Sequence, residues 1–137
     1  MAEDNFIKIL LIEDDDIDAK TLKLSLNKSK LNIKITHLNC IEDAEQIDWS
    51  KPENNYHCIV LDYNFPTGVS SNFLHIQKNI FVNKNPIILF TGLKSKILQK
   101  NIEQYENVYF LNKTEETFEK FPYFLSKVIE TQTKAKT

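Results

Sequence analysis

Four apolar runs of strand length recur along the chain: Phe6 to Ile12 with Lys8 as its one charged interruption, Tyr56 to Leu61, Ile87 to Phe90, and Val108 to Leu111. A strand with no polar alternation has no face to give to water, so it belongs in a sheet covered on both sides, which is the habit of parallel sheets. Ile33 to Leu38 alternates instead, and reads as an edge strand. The intervening segments carry helical spacing. Phe73, Ile76 and Ile80 share a face around Ser71 to Asn79; Leu98, Ile102 and Tyr105 repeat between Ser95 and Glu106; Phe121, Leu125, Val128 and Ile129 repeat near the C-terminus. Ile41 to Asp48 is the expected second helix. Leu22, Leu24 and Leu26 alternate like a strand, but the acidic opening of Asp16 to Asn27 and the need for a crossover between parallel strands favour helix there. Pro122 is tolerated only in a first turn, so the last helix is expected to begin near Thr117 or to be irregular before Pro122. Residues from Thr131 to Thr137 are polar and are expected to fray.

Five βα units with no linker and no repeat make one α/β domain spanning residues 1–137, with its core at about 6–130. Right-handed crossovers put helices on both faces of such a sheet. Composition removes several functions. Two glycines, Gly68 and Gly92, are too few for a P-loop or a dinucleotide fingerprint, which bring backbone amides to phosphate through closely spaced glycines. Any phosphate handled here must meet side chains and a metal. A net charge of -2 offers no basic excess for nucleic acid or anionic membrane, and no apolar run approaches the roughly 20 residues of a membrane helix. The acidic start, Met1-Ala-Glu-Asp-Asn, lacks a signal-peptide layout, so a cytoplasmic location is expected. Cys40 and Cys58 make no disulfide framework; Cys58 lies in an apolar run and reads as a buried thiol. His37, His57 and His75 fall on different elements and form no ligand spacing.

In an open parallel sheet the site lies outside the carboxyl ends of the strands. The first run ends Glu13-Asp14-Asp15-Asp16, the third ends Asp62, the fourth Thr91-Gly92, and the fifth Asn112-Lys113. Carboxylates brought together this way repel and hold protons unless a cation sits among them, and a hard divalent ion with oxygen ligands answers that need. Mg²⁺ also bridges carboxylate to phosphate. Asp62 could then act as a nucleophile on phosphorus, with Lys113 and the Thr91 hydroxyl neutralising the transferring oxygens. Singly, each feature has a plainer reading. The acidic run suits a helix N-terminus, Thr91 a turn, and Lys113 a solvated surface charge. Their coincidence, each at the end of its own strand, points to a site.

These residues resemble the receiver domain of two-component response regulators, from about Ile7 to Glu130. The likeness rests on Glu13-Asp14, on Leu61-Asp62-Tyr63-Asn64-Phe65-Pro66, on Phe90-Thr91-Gly92 and on Phe110-Leu111-Asn112-Lys113, with spacings of 29 residues from Asp62 to Thr91 and 22 from Thr91 to Lys113. The resemblance implies a flavodoxin-like (βα)5 fold with strand order 2-1-3-4-5. It implies phosphorylation of Asp62, and Mg²⁺ held by Glu13, Asp14, Asp62 and the Asn64 backbone carbonyl. Thr91 and Lys113 would contact the phosphoryl group. Phe110 would be an aromatic switch, although a plain core aromatic is the other reading. The implied donor is a phosphohistidine on a histidine kinase or phosphotransfer protein, in a phosphorelay without turnover of a metabolite. The implied output is a protein partner on the surface formed by the fourth helix, fifth strand and fifth helix, where Tyr105, Tyr109 or Tyr123 would mark contact. The chain is expected either to work alone through protein contacts, as stand-alone receivers do, or to be one excised domain of a larger hybrid kinase, and the Met start favours the stand-alone type. Thr114 follows Lys113 where the family has proline, and Ser70 stands where it often has glycine. Two other functions compete. A pseudo-receiver would share the fold as an unphosphorylated interaction module. A haloacid-dehalogenase-like phosphatase would need an acid where Asn64 stands.

Overall fold

The apolar runs become strands because most of their residues are β-branched, aromatic or otherwise apolar and find a covered surface on both sides of the sheet. The computed structural model describes residues 6–40, 43–44, 46–62, 85–92, 96–103 and 105–135. Its strands are β1 (Ile7–Ile12), β2 (Ile33–Leu38), β3 (Cys58–Asp62), β4 (Ile87–Thr91) and β5 (Val108–Asn112). They form one parallel sheet in the order β2-β1-β3-β4-β5. The strands β3 and β4 are buried along their whole length, whereas β2 alternates between half-buried and exposed positions in its first half, as an edge strand does.

Period-two alternation along the buried strands divides the core. Leu10, Ile12, Ile59, Leu61, Ile87 and Leu89 pack on one face with Ala44 and Ile102. Ile9, Leu11, Val60, Ile88 and Phe90 pack on the other with helices α1 (Asp16–Lys28) and α4 (Phe121–Ala135). Helix α2 (Lys96–Ile102) supplies Ile102 to the first face and is shorter than the Ser95–Glu106 span expected. Of the expected Ile41–Asp48 helix, Asp43 and Ala44 are helical; the Ser71–Asn79 helix lies outside the described residues.

Helix α1 settles the ambiguity of the leucine triplet. Leu22 and Leu26, four apart, are buried, and Leu24 is 50% exposed. Asp15 caps the helix, its carboxylate accepting from the amides of Ile17 and Asp18 at 2.9 and 3.0 Å. The cap and the buried face outweigh the local alternation. Accordingly, Leu22→Ala should cost about 2–5 kcal/mol in urea unfolding while Leu24→Ala stays within about 0.5. Equal costs would contradict the helical placement.

The irregularity expected before Pro122 takes the form of a break between two helices. Helix α3 (Glu115–Glu119) ends at Lys120, and α4 starts anew at Phe121 with Pro122 in its first turn, where a missing amide costs no intrahelical bond. Phe118 and Phe121 flank the break and both pack on Phe90, with ring centroids 5.0 and 5.2 Å away. The tail does not fray at Thr131 as expected, because α4 runs on to Ala135. Gln132 anchors it, donating to the Glu106 carbonyl at 3.1 Å and to the Tyr109 hydroxyl at 2.6 Å. No helix among the described residues is long and apolar enough to cross a membrane.

Candidate functional site

The sheet register brings the polar strand ends to one edge. Ile12 pairs with Leu61, Asp62 with Phe90, and Thr91 with Asn112, so Glu13, Asp62, Thr91 and Lys113 all leave the sheet at the same level. Carboxylate oxygens of Glu13, Asp14 and Asp62 lie within 4.8 Å of one another. Glu13 and Asp62 are buried and Asp14 is exposed, so the cluster is sealed on the protein side and open on the solvent side. Thr91 is fully buried.

Lys113 reaches the acids. Its Nζ lies 2.9 Å from Glu13 Oε1, 2.7 Å from Asp62 Oδ1 and 2.8 Å from Asp18 Oδ2. The bonds to Glu13 and Asp18 are aligned hydrogen bonds. Asp62 Oδ1 has ion-pair proximity without hydrogen-bond alignment, and is buried without a hydrogen-bond partner. Burial alone would push the ammonium down, but the carboxylates of Asp18, Asp62 and Glu13 more than reverse this and hold it above the ordinary lysine range.

Glu13 shows the opposite balance. Burial first, then the Asp62 carboxylate beside it, push its carboxyl up to about 8, against the opposing pull of Lys113. Lys113 therefore does not neutralise the cluster fully: near neutral pH one carboxyl still holds a proton. A proton-holding carboxyl, an unaligned carboxylate oxygen and an exposed third acid are a donor set that fits a hard divalent cation.

Backbone bonds fix this geometry. The Glu13 amide donates to the Leu38 carbonyl at 3.0 Å, and the His37 ring sits 2.8 Å from the Glu13 carbonyl through Nε2. Because Nε2 faces a carbonyl it carries the proton, which leaves Nδ1 to accept from Lys23 Nζ at 3.1 Å. The Lys113 amide donates to the Thr91 carbonyl at 2.8 Å, tying β5 to β4 at the site. Thr114 caps α3. Its hydroxyl accepts from the Thr117 amide at 3.0 Å, its amide donates to the Thr117 hydroxyl at 2.8 Å, and that hydroxyl donates to the Asn112 carbonyl at 2.7 Å. This reciprocal cap orders the turn after Lys113 with threonine where the family has proline.

Of the expected site residues, Glu13, Asp14, Asp62 and Lys113 converge, and Thr91 stands at the same edge. Asn64 lies outside the described residues, as do Gly68, Ser70 and His75. Phe110 is half-buried against the Ile102 side of the sheet. Tyr105 and Tyr109 are half-buried, and Tyr123 is 59% exposed. The other two histidines are structural: His37 as above, and His57 accepting the Lys8 amide at 2.8 Å. Cys58 is fully buried with its thiol pushed up to about 12 by burial, so it is inert. Asp18 was not foreseen. It had the look of one more helix-opening acid, and nothing in the spacing ties residue 18 to residue 113.

No protein-family model matches the sequence, and none of the curated proteins matches it. Solved structures do match. A response regulator receiver protein from Burkholderia phymatum superposes with a TM-score of 0.69 at 15% identity, over 90% of this chain and 95% of that one. The fold is that of a response-regulator receiver domain. The receiver fold is shared by the Mn²⁺-bound form of response regulator Rcp1, with a TM-score of 0.62, 18% identity and coverage of 93% and 92%. The phosphorylated cyanobacterial phytochrome response regulator RcpA matches with a TM-score of 0.61, 16% identity and coverage of 93% and 89%. Identities this low speak to the receiver fold; chemistry has to be argued from the site.

Proposed function

We propose that this chain is a phosphoacceptor receiver: Asp62 takes a phosphoryl group from a phosphohistidine, in a Mg²⁺ site, and a protein-interaction surface responds. The supporting observation is the meeting of Glu13, Asp14 and Asp62 around one point, with the Lys113 ammonium 2.7 Å from Asp62. Glu13, Asp14 and Asp62 would hold the metal by side chain, and the Asn64 carbonyl is the further ligand that the receiver resemblance adds. Mg²⁺ held there would supply positive charge to the transferring group. An Asp62 oxygen attacks phosphorus, the phosphorus–nitrogen bond to the donor imidazole breaks, and the imidazole nitrogen leaves with the bonding pair. Lys113 follows the charge as it develops, and the Thr91 hydroxyl donates to a phosphoryl oxygen.

Support for a metal in this fold also comes from Rcp1, described in its Mn²⁺-bound form, and support for phosphorylation from RcpA, described as phosphorylated. The output surface is the face of α2, β5 and α4, with Phe110 of β5 as its switch; the exposure of Tyr123 on α4 supports a partner contact by that helix. The partners are a histidine kinase or phosphotransfer protein upstream and a protein downstream, in the cytoplasm; catalysis is limited to the protein's own phosphorylation and dephosphorylation.

Incubation with acetyl phosphate and Mg²⁺ should add one phosphoryl mass to the intact protein. The gain should disappear with EDTA, with Asp62→Asn, and after hydroxylamine, which cleaves acyl phosphates. A protein that gains no mass, and binds no beryllofluoride in an Asp62-dependent way, is a pseudo-receiver instead.

A further inference from the structure

Lys113 makes three contacts, and they are not equivalent. Its ammonium donates aligned hydrogen bonds to Glu13 and Asp18, whereas Asp62 Oδ1, 2.7 Å away, is in ion-pair proximity without alignment. Glu13 and Asp62 come from the sheet edge, with side chains 3% and 4% exposed. Asp18 comes from the first turn of α1, and its side chain is 30% exposed. Its backbone amide donates to the Asp15 cap, and its carboxylate accepts from Lys113. A phosphoryl group arriving on Asp62 draws the ammonium toward itself, against the two acceptors that hold it, Glu13 and Asp18. Releasing a buried carboxylate leaves it without solvent, whereas a partly exposed one recovers water. Asp18 is therefore the partner that lets go.

We propose that Asp18 is a positioning residue that holds Lys113 in the resting site and competes with the phosphoryl group for it. The inference rests on the receiver reading and adds to it a side chain from α1. Two consequences have opposite signs. With Asp18 in place, the ammonium is drawn toward α1 and presses less on Glu13 and Asp62, which favours cation binding among the acids. Asp18 also withholds one lysine proton from the phosphoryl oxygens, which disfavours the phosphorylated form. The plainer role, an acid favouring the α1 macrodipole, would change helix stability and would be independent of Lys113.

The test uses the full chain with Mn²⁺ or Mg²⁺ alone, and with beryllofluoride at saturating Mg²⁺ as a phosphoryl analogue. Asp18→Asn should weaken metal binding about fivefold and tighten beryllofluoride binding about fivefold, as expected for a partly exposed charge contact. Asp18→Glu should restore both toward the wild type. In a Lys113→Met background, Asp18→Asn should change neither constant by more than about twofold, since the cycle isolates the pairwise coupling. Melting temperatures of the metal-free variants report the helix separately. Shifts of the same sign, or shifts that persist without Lys113, overturn the proposal, as does no shift in a wild type that binds both probes. A wild-type protein that binds neither probe overturns the receiver reading itself, and this inference with it.

Discussion

Divalent-metal affinity should rise roughly fiftyfold between pH 6 and pH 8 and change only about twofold between pH 8 and pH 9. The cause is the Glu13 carboxyl, which burial and the neighbouring Asp62 carboxylate push up to about 8. Below that value a cation must expel a proton before it can use the Glu13 oxygen, so each unit of pH is worth about a factor of ten in apparent affinity. Above it the oxygen is already bare. Titration calorimetry of Mg²⁺ or Mn²⁺ in buffers of different ionisation enthalpy would report close to one proton released per metal at pH 6 and little at pH 9. Glu13→Gln should bind the metal weakly and with little pH dependence. An affinity that is flat from pH 6 to pH 8 in the wild type would remove Glu13 from the ligand set.

The same proton governs stability without metal. Folded Glu13 keeps its proton up to about 8, whereas an unfolded chain gives it up near the ordinary value of 4.5. Between those values the native state binds more protons, so stability falls as pH rises. Metal-free protein should therefore melt at lower temperature at pH 8 than at pH 5.5 on account of this group, and added metal should recover more at the higher pH. The site is a place where the fold gives up stability for chemistry, with acids gathered that would separate if the strands allowed it.

Much of this was legible in the sequence, for reasons that can be located. Cys58 to Leu61 and Ile87 to Phe90 admit no exposed face, which dictates a parallel sheet and so fixes where Asp62 and Thr91 must emerge. The order of apolar runs therefore carries the site along with the fold. The first helix was also legible, from its acidic opening and the need for a crossover, although Leu24 continues an alternating pattern and the packing of Leu22 and Leu26 is what shows which period counts. What escaped was set by tertiary contact. The tail looked polar, and it is helical because Gln132 finds Glu106 and Tyr109 more than twenty residues away. Asp18 sits among four acids in the stretch from Asp14 to Asp18, and only the path of β5 brings Lys113 to it. The break between α3 and α4 was half visible: Pro122 announces it, but the rings of Phe118 and Phe121 closing on Phe90 keep both helices against the same core.

Lys113→Met should separate two functions that the wild type combines: metal affinity should increase about tenfold or more, while the rate of phosphorylation by acetyl phosphate falls by about 10²–10³. The first effect follows from competition. The ammonium lies 2.9 Å from Glu13 and 2.7 Å from Asp62, so it already occupies part of the charge that a cation would claim. Methionine fills similar volume without charge, and the cluster of Glu13, Asp14, Asp18 and Asp62 then has no internal counterion among the described residues. The second effect follows from where charge develops. A metal held by Glu13, Asp14 and Asp62 would supply positive charge to the transferring group, and Lys113, its side chain only 11% exposed, is the fixed positive charge that the protein itself provides there. Removing one preorganised donor from a water-poor site typically costs two to three orders of magnitude in rate. The variant should also be less stable than wild type without metal, and metal should restore more of its melting temperature than it does for the wild type. Calorimetry, intact-mass time courses and thermal melts on the one variant measure all three. If metal affinity falls together with the rate, Lys113 serves only to hold the acids in place, and the division of labour between ammonium and cation is wrong.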